Sequence, residues 1–169
     1  MGYIHVYTGN GKGKTTAAFG VALRAAMAGM NVYIGQFVKS MAYNETKIAA
    51  LTDRITIEQL GLGCRLITKP DENDIAAAKA ALDKCAEILK SDTYDMVILD
   101  ELTIAIYLKL IDEKDVHEAL DARNPNIEVI ITGRYASQAL IDRADLVTDM
   151  QEIKHYYTRG VEARDGIER

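Results

Sequence analysis

Thr8-Gly9-Asn10-Gly11-Lys12-Gly13-Lys14-Thr15-Thr16, set between a short apolar run (Ile4, Val6) and an alanine-rich helical pattern, decides how the chain is read. Closely spaced glycines let the backbone fold tightly enough for successive N–H groups to converge on one anion, and the helix N-terminus behind them adds positive dipole. Lys14 supplies a mobile cation and Thr15 a hydroxyl for a magnesium ion. This is the pattern of a phosphate-binding loop, or P-loop, with one departure. Counted back from Gly13-Lys14-Thr15, the general form G-x-x-x-x-G-K-S/T puts glycine at position 8, where Thr8 stands, so the loop is one residue short. A shorter loop still wraps phosphate, but presents its amides to a different part of a triphosphate than an ordinary ATPase does. A glycine-rich turn with its lysines in solvent is the alternative, and the strand and helix signals on either side argue against it.

Outward from the loop, strand and helix patterns alternate. Tyr3–Tyr7 reads as the first strand, Thr15–Ala28 as a helix with small residues on its packing side, and Asn31–Phe37 as a second strand. Glu45–Leu51 predicts a short helix, Ile55–Leu60 a strand, and Asp74–Leu89 a long helix with Ile75, Ala78, Leu82, Cys85 and Leu89 on one face. Met96–Leu99 is a continuous apolar run, as a strand buried on both faces requires. Helical stretches follow at Thr103–Leu110 and Asp112–Ala122, then a strand at Glu128–Thr132, a helix at Ser137–Arg143, a strand at Leu146–Met150 and a polar tail containing tyrosines. The expectation is a single α/β domain over residues 1–169: a three-layer P-loop NTPase (RecA-like) fold, with a mostly parallel sheet flanked by helices and ligands at the carboxyl ends of the strands.

Composition narrows the partners. A formal net charge of −5 speaks against a general polyanion-binding surface, so nucleic acid is not expected. No apolar run approaches a membrane span, and the first strand begins without a signal-peptide pattern, which makes the cytoplasm the default expectation. Two cysteines, Cys64 and Cys85, are too few for a disulfide scaffold or a four-cysteine zinc site.

Two further segments carry chemistry. Val97-Ile98-Leu99-Asp100-Glu101 ends a buried strand in adjacent carboxylates, as an oxygen-ligand magnesium site at the sheet edge needs, and resembles a Walker B segment. Asp100 or Glu101 is expected to reach the metal directly or through water; helix capping by these acids is the alternative. Thr132-Gly133-Arg134 ends another strand, where Arg134 either forks onto phosphate oxygens or forms a surface salt bridge. His5 and His117 read as structural or solvated, whereas His155, beside Tyr156 and Tyr157, is kept as a candidate site residue. No serine–histidine–acid set or cysteine nucleophile is evident, so the chemistry relies on handling phosphate.

The P-loop run through Gly20, Gly35-Gln36-Phe37-Val38-Lys39, Ile98-Leu99-Asp100-Glu101-Leu102, Ile131-Thr132-Gly133-Arg134, Ala144-Asp145-Leu146-Val147-Thr148, Lys154-His155, Gly160-Val161-Glu162-Ala163 and Gly166-Ile167-Glu168 together resemble the P-loop ATP:corrinoid adenosyltransferases of the CobA/BtuR type, essentially from end to end. The resemblance implies transfer of the 5′-deoxyadenosyl group of ATP to the cobalt(I) of a reduced corrinoid, with triphosphate as the other product. It implies magnesium or manganese held by Thr15 with Glu101 or Asp100, and triphosphate neutralised by Lys12, Lys14 and Arg134. Nucleotide contacts are implied from Gly9, Asn10, Gly11, Gly13, Thr16 and Arg24, with a solvent-facing position the alternative for Arg24. ATP lying reversed in the loop, a flavoprotein or other reductant for cobalt(II), and a homodimer are likewise implied.

On the corrinoid side the chain departs from the pattern. Relatives carry Gly-Phe-x-Trp in the loop after the third strand, and the matching segment here is Gly61-Leu62-Gly63-Cys64, without either aromatic. Either Leu62 and Cys64 form a smaller apolar wedge beneath the corrin, or another loop does so. Phe37, Met41 and Tyr43 are candidates for lining the corrin face, with core packing the alternative for Phe37. Two other functions stay open at this point: a P-loop ATPase or kinase acting at the γ-phosphate, which would release ADP, and a non-catalytic module that binds ATP and corrinoid.

Overall fold

Alternating residues along the central strands are apolar in both directions, so each strand has to be covered on both faces, and the chain does this by crossing over with a helix after nearly every strand. The computed structural model describes residues 1–39, 43–63 and 70–168. In chain order the described elements are β1 (Ile4–Thr8), α1 (Lys14–Met27), β2 (Val32–Gln36), a 3₁₀ turn (Asn44–Ala50), β3 (Ile55–Gln59), α2 (Glu72–Lys90), β4 (Met96–Asp100), α3 (Leu102–Tyr107), α4 (Glu113–Asp121), β5 (Glu128–Thr132), α5 (Gln138–Arg143), β6 (Leu146–Asp149) and a 3₁₀ turn (Tyr156–Arg159).

The six strands form one sheet in the order β3-β2-β4-β5-β1-β6, and every neighbouring pair is parallel. One strand, β5, therefore separates the strand that leads into the P-loop from the strand that ends in Asp100. The period-2 pattern sorts the core cleanly. Val32, Ile34, Met96, Ile98 and Ile130 face α1, whose Ala18, Ala22, Ala25 and Ala26 allow close approach. Tyr33, Val97, Leu99, Val129 and Ile131 face the opposite layer, built from α2, α3, α4 and α5. Burying each large aliphatic side chain contributes about 1.5–3 kcal/mol, most of it offset by chain entropy. β6 is different: it lies at the sheet edge and all four of its residues are exposed.

The element boundaries differ from the sequence reading by one to three residues, with local causes. α3 stops at Tyr107 instead of continuing to Leu110, because Lys109 adopts a left-handed conformation with φ 58°. Residues Asn44–Ala50 wind as a 3₁₀ turn. β4 includes Asp100, so this carboxylate is held within the sheet register. Among the described residues no helix is long and apolar enough to cross a membrane.

Candidate functional site

The P-loop turns tightly because glycine is the residue that fits. Gly9 and Gly13 have φ values of 97° and 118°, and a Cβ on Gly9 would lie 2.2 Å from Asp149 Oδ1 and 2.5 Å from Met150 O. The end of β6 thus backs the loop, with Met150 N donating to Thr8 O at 2.9 Å and Gly11 N to Met150 O at 2.6 Å. Lys14 is the first residue of α1, and no side chain caps that helix. By contrast α2, α4 and α5 have their first amides met by Asp71, Asp112 and Ser137. The open amides of α1 and the positive end of its dipole point at the same place.

That place is a cavity of about 560 Å³, bordered by Gly11 through Thr16, Glu101, Arg134 and His155, within the range of ligand pockets. Lys14 is buried and its Nζ donates to Gly11 O at 2.7 Å. Burial, with the Arg134 charge nearby, holds its pKa below the ordinary lysine value, while Glu101 and Asp149 oppose the shift. An arriving polyphosphate would therefore meet a lysine in want of an anion.

Asp100 and Glu101 are adjacent and differently employed. Asp100 is fully buried. Its Oδ1 accepts from Thr132 Oγ1 at 2.7 Å and Thr15 Oγ1 at 2.9 Å, and its Oδ2 from Gln36 Nε2 at 2.9 Å and Lys39 Nζ at 2.9 Å. This carboxylate ties α1, β2 and β5 together. Glu101 sits at the N-cap of α3 with φ 62° and ψ 21°, a left-handed conformation that a residue with a side chain seldom adopts. Its amide donates to Thr132 Oγ1 at 3.0 Å, which helps hold the turn. Burial and the Asp100 charge push its carboxyl pKa up, against Lys39, Lys14 and Arg134, which pull it down.

Arg134 enters the cavity wall through another constrained turn. Gly133 has φ 133°, a Cβ there would lie 2.3 Å from Thr103 Oγ1, and that hydroxyl donates to Arg134 O at 2.7 Å. Among the described residues no group of three His, Cys, Asp or Glu side chains assembles as a metal cluster. Thr15 Oγ1 with the Asp100 and Glu101 carboxylates makes a partial set of hard oxygen donors. Such a set suits magnesium, which keeps waters and takes further oxygens from phosphates.

Several residues met in the cavity had no role in the sequence reading. Lys39, Glu45 and Phe19 line it, as do Gly166, Ile167 and Glu168 from the tail. Lys12 Nζ donates to Ile167 O at 2.7 Å, Glu168 Oε1 at 3.0 Å and Tyr156 Oη at 3.2 Å. Its hydrogen bonds to Glu168 and Tyr156 raise its pKa. Glu168 also takes hydrogen bonds from Arg164 and Tyr156, which lower its own. Lys39 had a usable signal, because it lies three residues beyond the carboxyl end of a strand. In the tail, His155 and the Gly166-Ile167-Glu168 match were already marked, but nothing tied Glu168 to Lys12, which is 156 positions away.

Other candidates are dispersed. Tyr43 and His155 border the cavity, and His155 Nδ1 accepts from Tyr157 N at 3.1 Å. Phe37 is 1% exposed and packs in the core on the α2 side, so its side chain is not at the cavity wall. Leu62 is 61% exposed. Gly9 and Asn10 belong to the loop but do not border the cavity, and Arg24 is exposed in the last turn of α1, ten residues or about 15 Å along the helix from Lys14. Met41 and Cys64 lie outside the described residues.

A profile of the family described as ATP:corrinoid adenosyltransferase BtuR/CobO/CobP matches residues 1–169. The corrinoid adenosyltransferase CobA of Salmonella typhimurium is 38% identical over 167 residues, covering 99% of this chain and 85% of that protein. The corrinoid adenosyltransferase of Escherichia coli K12 is 36% identical over 167 residues, covering 99% and 85%. That of Pseudomonas aeruginosa is 35% identical over 169 residues, covering 99% and 83%.

Proposed function

That this chain belongs to the ATP:corrinoid adenosyltransferase family, and is an enzyme of that class, is the premise from which we propose its reaction: the 5′-deoxyadenosyl group of ATP passes to the cobalt(I) of a reduced corrinoid, and triphosphate leaves. The cobalt electron pair attacks C5′ of the ribose, the C5′–oxygen bond breaks, and its electrons depart on the triphosphate. Because cobalt(I) is itself the nucleophile, no protein group has to remove a proton. The protein's task is to position C5′ and to meet the charge growing on the leaving oxygens.

The convergence of Lys12, Lys14, Arg134 and Glu101 on one cavity at an uncapped helix N-terminus carries this reading. Lys14 and Arg134 take the leaving oxygens, the amides around Gly13 and Thr16 cradle them, and Lys12 joins once Glu168 yields it. A magnesium or manganese ion, when bound, supplies further positive charge at these oxygens, with Thr15 and Asp100 or Glu101 as the residues that would hold it. ATP lies reversed relative to ordinary P-loop enzymes, so that C5′ faces the corrinoid; the shortened loop is compatible with that. On the corrin side, Tyr43 and His155 are the candidates at the cavity, and the wedge is assigned either to the Leu62 and Cys64 positions, in place of two aromatics, or to another loop. A homodimer, a flavoprotein or similar reductant, and a cytoplasmic setting complete the proposal.

Anaerobic mixing of the protein with ATP, magnesium and chemically reduced corrinoid tests it. A light-sensitive alkyl–cobalt spectrum with one triphosphate per product and no ADP is expected. Release of ADP would mean attack at the γ-phosphate, and binding of both substrates without a cobalt–carbon bond would mean a carrier and not an enzyme.

A further inference from the structure

Lys39 has no part in the reaction as set out above, yet it stands at the centre of the cavity's acidic wall. Its side chain is 16% exposed, and its Nζ lies 2.9 Å from Asp100 Oδ2, 3.4 Å from Thr15 Oγ1 and 3.5 Å from Glu45 Oε1. The Tyr43 ring lies beneath it, 5.3 Å from the ammonium to the ring centre. Asp100 holds three other donors, and each is fixed: Gln36 and Thr132 are fully buried, and Thr15 is in the first turn of α1. Among the described residues the ammonium is thus the one partner of Asp100 that is carried on a long flexible stem and also borders the cavity.

The position it fills is ringed by oxygens. It touches the P-loop hydroxyl and the strand-end carboxylate, the oxygens expected to meet magnesium, and Glu101 and Glu45 add negative charge around it. Leaving these carboxylates without a counter-charge in a largely buried wall would be costly.

We propose that Lys39 is a built-in placeholder cation: in the nucleotide-free protein its ammonium fills the space between Thr15 and Asp100, and on arrival of the metal–ATP complex it gives up that space and moves onto the triphosphate oxygens. The proposal rests on the reading of this cavity as the ATP site. The exchange keeps the wall neutralised at every stage. A free divalent ion must compete with a tethered ammonium, whereas a metal arriving with ATP brings the anion that gives Lys39 a new partner. Lys39 then contacts the leaving group, and the metal settles only when there is a nucleotide to use it.

Manganese, counted by the loss of its free-ion electron paramagnetic resonance signal, is the probe. Lys39→Met keeps most of the stem and removes the charge; Lys39→Gln, which can still donate to Asp100, serves where the first variant costs too much stability to fold. Without nucleotide, the variant is expected to bind manganese at least fivefold more tightly than wild type, and millimolar manganese to raise the variant's Tm by more than it raises the wild type's. The same variant is expected to bind magnesium–ATP at least fivefold more weakly. Unchanged or weaker manganese binding by a folded variant overturns the placeholder, and unchanged magnesium–ATP affinity overturns the transfer to triphosphate. A wild type that binds no ATP at all sinks the reading of the cavity itself, whereas a wild type that binds ATP with a variant identical in both measurements sinks only the role given to Lys39.

Discussion

The wall proposed to meet the phosphates and the loops that follow β2 and β3 lie at the same edge of the sheet and are built in different ways. On the proposed phosphate side the turns that carry Asp100, Glu101 and Arg134 and the P-loop itself are tightly constrained, while Lys12 and Lys39 reach in on flexible stems. Gly9 and Gly133 leave no room for a Cβ, Asp100 is fully hydrogen-bonded, and Lys14 is buried. On the other side, Leu62 is exposed and Phe37 is turned into the core, which leaves Tyr43 as the described aromatic from the β2 loop at the cavity. Charge has to be positioned to fractions of an ångström to stabilise a leaving triphosphate, while an apolar wedge against a large flat macrocycle tolerates substitution. The rigid half is therefore where single changes should hurt most, and the looser half where they should tune.

Lys14→Ala gives the largest expected effect, a loss of about 10²–10³-fold in turnover with the fold retained by circular dichroism. Survival within a few-fold would remove the P-loop from the triphosphate and break the contrast. Glu101→Gln is expected to lower kcat by about tenfold in steady-state assays and, without nucleotide, to raise the Tm at neutral pH by about 2–5 °C. The sign follows from its raised folded-state pKa: below the unfolded value of 4.5 both states are protonated and no penalty exists, and as pH rises through the folded-state value ionisation of the buried carboxyl costs stability. The Tm gap between variant and wild type should thus open from pH 4.5 upward, and a gap independent of pH would contradict that origin. Leu62→Phe with Cys64→Trp is expected to speed turnover from cobalt(II) under a weak reductant by a few-fold, about threefold being a single small wedge's worth of packing; an unchanged rate would move the wedge to another loop. Arg24→Ala is expected to change turnover by less than about twofold, as an exposed side chain in the last turn of α1 should, and a larger loss in the same assay would bring it back to the nucleotide.

What could be read from the sequence was what is local. The P-loop, the apolar run ending at Asp100-Glu101 and the Thr132-Gly133-Arg134 turn each lie within a few residues, and each appears at the cavity. Helix and strand positions followed from periodicity for the same reason. The placing of β5 between β1 and β4 did not, because β1 pairs with residues more than a hundred positions away, β4 pairs with residues about thirty positions on across two intervening helices, and parallel neighbours leave no hairpin signal. Phe37 shows the limit in one residue: its amide donates to Asp100 O at 3.0 Å, so it follows the sheet's register and its ring is carried into the core instead of the cavity. Lys12 was assigned to phosphate without any hint that Glu168 would be waiting on it, since neither residue's neighbours carry information about the other.

The backbone at Glu101 is also a statement about selection. A glycine or asparagine would be more comfortable at φ 62°, and either would remove a partly buried carboxyl that ionises at a cost. Folding by itself would therefore steer this position away from glutamate. A library screened for heat resistance should accumulate replacements at 101 and collect idle proteins, and the same library screened for product should discard them, so the two screens would diverge at this codon before most others in the chain.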